Sequence, residues 1–323
     1  MRVLLTGAAG FIGSHAAVRL LERGDHVVGL DNLNDYYSPA RKRKNLEEVS
    51  SLAGDRGRFD FVEGDIRDRD ALRRLFAEHE FEAVINLAAM AGVRVSVEDP
   101  WLYYDVNLTG TLNLLEAVRS QPRRANFVLA STSSAYGRTE TLPFIETDCA
   151  DRPLAPYPAS KRAAEMLGFT YHHLHQLDFT ALRFFTVFGP RGRPDMMAYK
   201  VLDSAFGGSE VPYYNAGQMH RDWTFVSDIV SGIVRAADRR LGYEVINLGR
   251  GEPVLLADFV GVLEKLSGRK PRLVPAPMSD ADVAYTYADI EKARRLLGYE
   301  PEVSAEEGIA RFFEWYMEAV QGG

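Results

Sequence analysis

Residues 3–13 read Val-Leu-Leu-Thr-Gly-Ala-Ala-Gly-Phe-Ile-Gly, and this stretch decides the fold. Arg2-Val3-Leu4-Leu5 has the apolar run of a short buried strand. Gly7, Gly10 and Gly13 follow at G-x-x-G-x-x-G spacing, and Ser14 to Glu22 carries apolar residues at helical intervals (Ala17, Val18, Leu20, Leu21). Glycines allow a tight turn and close backbone approach to a pyrophosphate, while the helix start offers free N–H groups and a partial positive charge. A second predicted strand, His26-Val27-Val28-Gly29-Leu30, ends at Asp31. A carboxylate there suits adenosine ribose hydroxyls and repels the extra phosphate of NADP, which points to NAD.

Outward from this unit, strands and helices alternate. Phe59–Asp65 reads as a strand with an acidic end, Asp70–Ala77 as a helix, and Ala83-Val84-Ile85-Asn86-Leu87-Ala88-Ala89 as an apolar strand ending in small residues. Val106–Val118 reads as a helix, and Phe127–Ala130 and Thr180–Phe185 as strands. Apolar strands separated by helices predict an α/β, doubly wound parallel sheet of Rossmann type, with ligands gathered at the strands' carboxyl ends. Gly189-Pro190-Arg191-Gly192-Arg193-Pro194 breaks the pattern. The expected division is an NAD-binding unit, 1–188, to which the chain returns at about 224–250, and a smaller lobe from 189–223 and 251–323.

The 323 residues carry a net charge of −7 and a 46% hydrophobic share, which argues against general nucleic-acid affinity. Cys149 is the single cysteine, so an internal disulfide and a cysteine-based zinc cluster are excluded, no metal is expected, and a reducing, cytoplasmic setting fits. No apolar run reaches the roughly 20 residues of a membrane span, and no targeting segment is expected. The block Arg41-Lys42-Arg43-Lys44 reads as a solvated helix face, with Leu46 and Val49 turned inward.

Tyr157 and Lys161 lie four apart in Tyr-Pro-Ala-Ser-Lys, one turn of a helix. A phenol of pKa ~10 is a poor base at neutral pH. A lysine cation one turn away favours the phenolate and makes it a general base for an alcohol undergoing oxidation. A hydroxyl cluster, Ser131-Thr132-Ser133-Ser134-Ala135-Tyr136-Gly137, follows the strand at 127–130, where it can donate to and accept from a substrate alcohol.

Together these motifs resemble the extended short-chain dehydrogenase/reductases, and within them the nucleotide-sugar epimerases and dehydratases. The resemblance covers nearly the whole chain: T-G-A-A-G-F-I-G at 6–13, D-N-L-N-D-Y-Y at 31–37, N-L-A-A-M-A-G-V-R at 86–94, S-T-S-S-A-Y-G at 131–137, Y-P-A-S-K at 157–161, R-F-F-T-V-F-G-P-R-G-R-P-D-M at 183–196 and M-H-R-D-W-T-F-V-S-D at 219–228. The narrower second and sixth motifs resemble those of UDP-glucuronate 4-epimerases.

The resemblance implies that Tyr157 is the base, Lys161 its partner, and Thr132 the catalytic hydroxyl, with Ser133 and Ser134 as helpers. It places the cofactor against Gly7, Gly10, Phe11, Ile12, Gly13, Asp31, Asn32, Asp65, Ile66, Leu87, Ala88, Ala89, Asn107 and Val187, besides Tyr157 and Lys161. It assigns Arg221 to the UDP phosphates, with Tyr214 and Asp282 on the same side. Where relatives carry Pro-Gly-Asp-Val, this chain has Asp280-Ala281-Asp282-Val283, which leaves that loop's contact with UDP open. Related 4,6-dehydratases carry an Asp-Glu pair, and decarboxylases a glutamate, where this chain has Ser133-Ser134. Without those acids the chemistry implied is oxidation and re-reduction. Thr186 stands where galactose-type epimerases usually carry asparagine. It suits a sugar carboxylate, with Arg191 or Arg94 as the cation to pair with it. The implied activity is NAD-dependent 4-epimerisation of UDP-glucuronate to UDP-galacturonate by a homodimer joined through a four-helix bundle. The alternatives are epimerisation of a neutral UDP-sugar, decarboxylation, and a catalytically silent NAD-binding sensor.

Overall fold

The structure is a computed structural model that describes residues 1–53, 57–278 and 280–321. Six strands appear in chain order: β1 (Arg2–Thr6), β2 (His26–Asp31), β3 (Arg58–Glu63), β4 (Ala83–Asn86), β5 (Asn126–Thr132) and β6 (Phe179–Phe184). With the strand Tyr243–Leu248 they form one sheet, ordered Tyr243–Leu248, β6, β5, β4, β1, β2, β3. Every pairing in it is parallel. The chain winds outward from β1 through β2 and β3, then restarts at β4 on the other flank. The switch point therefore lies between β1 and β4, where loops diverge and leave a crevice at the carboxyl edge.

Val3, Leu4 and Leu5 are wholly buried, since helices cover both faces of the sheet. β4 stops at Asn86, earlier than the apolar run suggests, and Leu87–Ala89 leave the sheet toward the crevice. The predicted helix at 106–118 is longer and composite. Pro100–Tyr104 leads through a π-helical stretch, Asp105–Thr109, into Gly110–Ser120. Ser131 and Thr132 belong to β5 rather than to a turn after it, and Ser133–Tyr136 form a 3₁₀ turn.

Smaller sheets build the C-terminal side. His220–Phe225 pairs with Thr186–Phe188, Pro253–Leu255 and Tyr285–Thr286, and Glu210–Tyr214 pairs with Arg272–Ala276. The strand Thr186–Phe188 thus joins the smaller sheet although it precedes residue 189. The helix Val226–Ala237 packs on Phe11–Glu22, and Tyr243–Leu248 sits beside β6. No helix among the described residues is long and apolar enough to cross a membrane.

Candidate active site

The crevice at the switch point is lined from the ends of β1, β2, β4, β5 and β6. Its floor is the glycine loop. Gly7 takes φ +70°, and a Cβ there would stand 2.8 Å from Ala88 N. A Cβ on Gly13 would meet Gly7 O at 2.0 Å, so the helix can start this close to β1 only without a side chain. Gly10 caps the helix Phe11–Glu22 with no side-chain bond, which leaves its first N–H groups for an external anion. This donor set and the absence of side-chain bulk fit a dinucleotide pyrophosphate.

Asp31 closes the loop from β2. Its Oδ2 accepts from Ala9 N at 3.0 Å and its Oδ1 from Leu33 N at 2.9 Å. Burial pushes its carboxyl up, and those N–H groups and Lys42 oppose the rise. It therefore ties the glycine loop to the next turn while retaining lone pairs for a ribose. Asp65 accepts from Asn32 at 2.8 Å and from both ends of the Arg67 guanidinium; burial opposes but those bonds win, and its pKa falls to about 2. The basic block at 41–44 departs from the expected solvated face. Arg43 and Lys44 are exposed, but Lys42 is buried in the cleft, with Nζ 2.8 Å from Asn34 O and 2.7 Å from Asn34 Oδ1.

Gly7, Gly10, Phe11, Ile12, Gly13, Asp31, Asn32, Asp65, Ile66, Leu87, Ala88, Ala89, Tyr157 and Lys161 all line this cleft. Asn107 and Val187 do not. Asn107 is wholly buried, and its amide is spent on Met90 N and O and on Ser160 Oγ. It ties the 86–94 loop to the helix Pro156–His175 rather than facing the cleft. Val187 packs in the hydrophobic core.

Pro156 sets the first turn of the helix Pro156–His175, so Tyr157 stands at the helix start with Lys161 one turn on. Tyr103 meets Tyr157 edge-on at 6.2 Å. Burial raises the Tyr157 phenol, opposed by a hydrogen bond with Thr132 and by the charge of Arg193. No hydrogen bond joins Lys161 to the phenol among the described residues. The Lys161 ammonium instead donates to Ala130 O at 2.9 Å, and burial lowers its pKa to about 8. Thr132 Oγ1 also accepts from Ser134 N at 3.1 Å, which fixes the hydroxyl beneath Tyr157.

The arginines of 189–194 lie in different surroundings. Arg191 has φ +59°, a left-handed turn that directs its side chain away from the cleft. Its Nη2 donates to His15 Nδ1 at 2.9 Å and its Nη1 lies 3.5 Å from Glu48. His15 Nε2 lies 2.9 Å from Pro190 O, and burial with the nearby Arg191 charge holds the imidazole neutral, at a pKa of about 3. Arg193 is the arginine in the cleft. Its Nε and Nη2 bind Asp195 at 2.9 and 3.0 Å, it lies 5.6 Å from the Tyr36 ring, and no hydrogen bond engages Nη1 among the described residues. Thr186 is half-buried and in register with Trp223, outside the cofactor cleft.

A second cluster gathers Arg94, Tyr214, Arg221 and Asp282 from four segments. Arg94 pairs with Asp282 and stacks 3.6 Å over the Tyr214 ring. Arg221 donates to His220 O at 2.8 Å, and burial lowers its pKa with Asp282 opposing. Two guanidinium groups lie near this one carboxylate, which leaves positive charge for an anion. Among the described residues no group of three or more His, Cys, Asp or Glu could hold a metal.

Sequence reasoning missed Arg193, Lys42, Tyr36 and Asn34 as cleft residues. Arg193 sits two residues from the arginine chosen, and their spacing gives no sign of which one faces the cleft.

Residues 4–312 match the family model described as GDP-mannose 4,6 dehydratase. The UDP-glucuronate 4-epimerase of Thermodesulfobacterium geofontis is 43% identical over 319 residues, which cover 98% of this chain and 97% of that one. The crystal structure of the UDP-glucuronic acid 4-epimerase of Bacillus cereus, in complex with UDP-glucuronic acid and NAD, superposes with a TM-score of 0.89 at 33% identity, covering 98% and 99% of the two chains. The UDP-glucose 4-epimerase of Thermotoga maritima gives 0.88 at 30%, covering 99% and 100%.

Proposed function

The chain belongs to the GDP-mannose 4,6-dehydratase family of extended short-chain dehydrogenase/reductases, and from that membership and the cleft we infer that it is an NAD-dependent isomerase, a 4-epimerase of UDP-glucuronate. The observation that carries the choice of sugar is Arg193, a cation with one guanidinium end open, in the same cleft as Tyr157. A neutral hexose has no carboxylate to pair with that open end. Ser133 and Ser134 stand where the dehydratases of the family use acids, so elimination lacks its proton donors.

When bound, NAD supplies the acceptor for the hydride that leaves C4, returns it, and adds one positive charge to the cleft. Tyr157 takes the proton of the 4-hydroxyl as C4 becomes a ketone, and Thr132 steadies the phenol oxygen by the hydrogen bond between them. Arg193 lowers the energy of the phenolate from across the cleft. The keto sugar then turns about its bond to the diphosphate, so the sugar must be loosely held and UDP firmly. Arg94, Tyr214, Arg221 and Asp282 are the group we assign to UDP. Tyr157 returns the proton when the opposite face is reduced. The 4-keto uronic acid is a β-keto acid, and Arg193 on its carboxylate would oppose loss of carbon dioxide.

Incubation with UDP-glucuronate and separation of the products tests the reading. The expected result is UDP-galacturonate without net NADH. A carbon dioxide burst with a pentose product would establish a decarboxylase instead. A protein that binds NAD and turns over no UDP-sugar would be a sensor.

Asp31→Ala is expected to weaken NAD and to narrow the preference over NADP. The removed carboxylate also ties Ala9 and Leu33, so the loop loosens as well. Equal affinity of the wild-type protein for NAD and NADP, read by fluorescence titration, would refute this role of Asp31.

We further propose a homodimer that works in the cytoplasm. Met166 and Phe169 on the helix Pro156–His175, 58% and 53% exposed, and Leu112 on Gly110–Ser120, 37% exposed, offer an apolar surface for a twofold four-helix bundle. Light scattering at micromolar concentration should give twice the chain mass; a monomer would refute the assembly.

A further inference from the structure

Glu165 lies one turn beyond Lys161 on the same helix and is wholly buried. Its carboxylate accepts from Ser131 Oγ at 2.5 Å, from Arg183 Nε and Nη2 at 3.0 and 2.7 Å, and from Arg162 Nη1 at 3.1 Å. Ser131 lines the cofactor cleft and lies in register with Arg183 on β6. Arg183 in turn stacks 4.4 Å over Tyr136, whose hydroxyl donates to Asn247 at 2.8 Å. One ion pair thus joins the ends of β5 and β6, the hydroxyl turn and the catalytic helix. Buried ion pairs are often no more stabilising than apolar side chains of the same volume, so stability alone is a weak reason for this one.

Lys161 supplies a stronger reason. It is 2% exposed, and its ammonium donates to a neutral acceptor, the Ala130 carbonyl. The charged and titratable groups on the elements packed around it include Tyr157, Arg162 and Glu165 on its own helix, Tyr103 on Pro100–Tyr104, Asp105 on Asp105–Thr109, Glu116 and Arg119 on Gly110–Ser120, Tyr136 in the 3₁₀ turn, Arg183 on β6, Tyr243 and Glu244 on the edge strand and Arg193 across the cleft. Of its acids, Glu165 is the one that is wholly buried and one helical turn from Lys161. Burial drives the lysine toward neutrality, and Glu165 is the charge that resists it.

We propose that Glu165 is the positioning residue of this site, the buried anion that keeps Lys161 a cation and, through Ser131, fixes the strand end that carries Thr132. The proposal rests on the reading of Tyr157 and Lys161 as the catalytic pair, and it does not depend on which UDP-sugar is the substrate.

The test compares Glu165→Gln with Glu165→Asp by the pH profile of kcat under saturating substrate. Loss of the anion should move the alkaline limb of the Glu165→Gln profile to lower pH by about one unit, because the lysine gives up its proton sooner. Glu165→Asp, one methylene shorter but still charged, should lose turnover and keep the limb in place. If Glu165→Gln does not fold, the double variant Glu165→Gln/Arg183→Met leaves the net buried charge unchanged and should move the limb in the same direction by less, because the repulsion of Arg183 goes with the attraction of Glu165. A limb that stays in place in the neutral variant overturns the proposal and leaves Glu165 a packing residue. Near-wild-type turnover of Lys161→Met would instead sink the catalytic pair itself.

Discussion

Tyr157→Phe should lower turnover by roughly 10²–10⁴-fold, the usual worth of a positioned general base, while NAD and UDP-sugar affinities change little. The separation of functions follows from the geometry. The pyrophosphate cradle lies at Gly7–Gly13, and the proposed UDP group is the Arg94, Tyr214, Arg221 and Asp282 cluster. Neither needs the phenol oxygen. Phenylalanine keeps the ring that Tyr103 meets edge-on, so the helix start stays packed. The acid side of the wild-type profile should report the same group. Burial raises the phenol, and a base works only when deprotonated, so turnover should fall as pH drops. Stopped assays with product separation, together with equilibrium binding of NAD and UDP, read both halves of the expectation. Near-wild-type turnover of the variant would remove Tyr157 from the chemistry.

Arg193→Gln should weaken UDP-glucuronate by roughly 10–150-fold. A hydrogen bond to a charged group contributes about 1.5–3 kcal/mol net, and about 1.4 kcal/mol is tenfold. UDP-glucose, which has no carboxylate, should lose far less affinity. Both sugars should lose some kcat, because Arg193 also lowers the phenol of Tyr157. The comparison of two sugars separates the roles. Equal losses in KM for both would leave Arg193 acting through Tyr157 alone, or on the phosphates if UDP itself also weakens. More carbon dioxide from UDP-glucuronate in the variant would agree with an arginine that restrains the carboxylate of the keto intermediate. Arg191→Gln is the internal control. Its side chain is held by His15 and Glu48, so its effect should fall on stability rather than on sugar choice.

The parallel sheet, the glycine loop and the Tyr157–Lys161 pair were legible along the chain because each is a local device. Strand burial shows as an apolar run, a close approach shows as glycine at fixed spacing, and a shared helix face shows as an interval of four. Element ends were less legible. β4 stops at Asn86 although the apolar residues continue, because Leu87–Ala89 serve the cleft rather than the sheet. Burial of Lys42 was hidden for a similar reason. Its neighbours in sequence are solvated, and only the fold of residues 31–37 over the helix start encloses it.

By itself the sequence determined the chemistry that needs few partners: a dinucleotide cradle, a base with a cation on the same helix, and hydroxyls at a strand end. Tertiary structure alone decided which charge meets which group. Arg191 and Arg193 are chemically identical, and the left-handed backbone at Arg191 sends one to a buried histidine and the other to the cleft. Lys161 reaches a backbone carbonyl, Arg193 adds its charge at Tyr157 from across the cleft, and Glu165 meets Arg183 from another strand. Electrostatic influence depends on distance and burial in space, and neither quantity can be read from spacing along a chain.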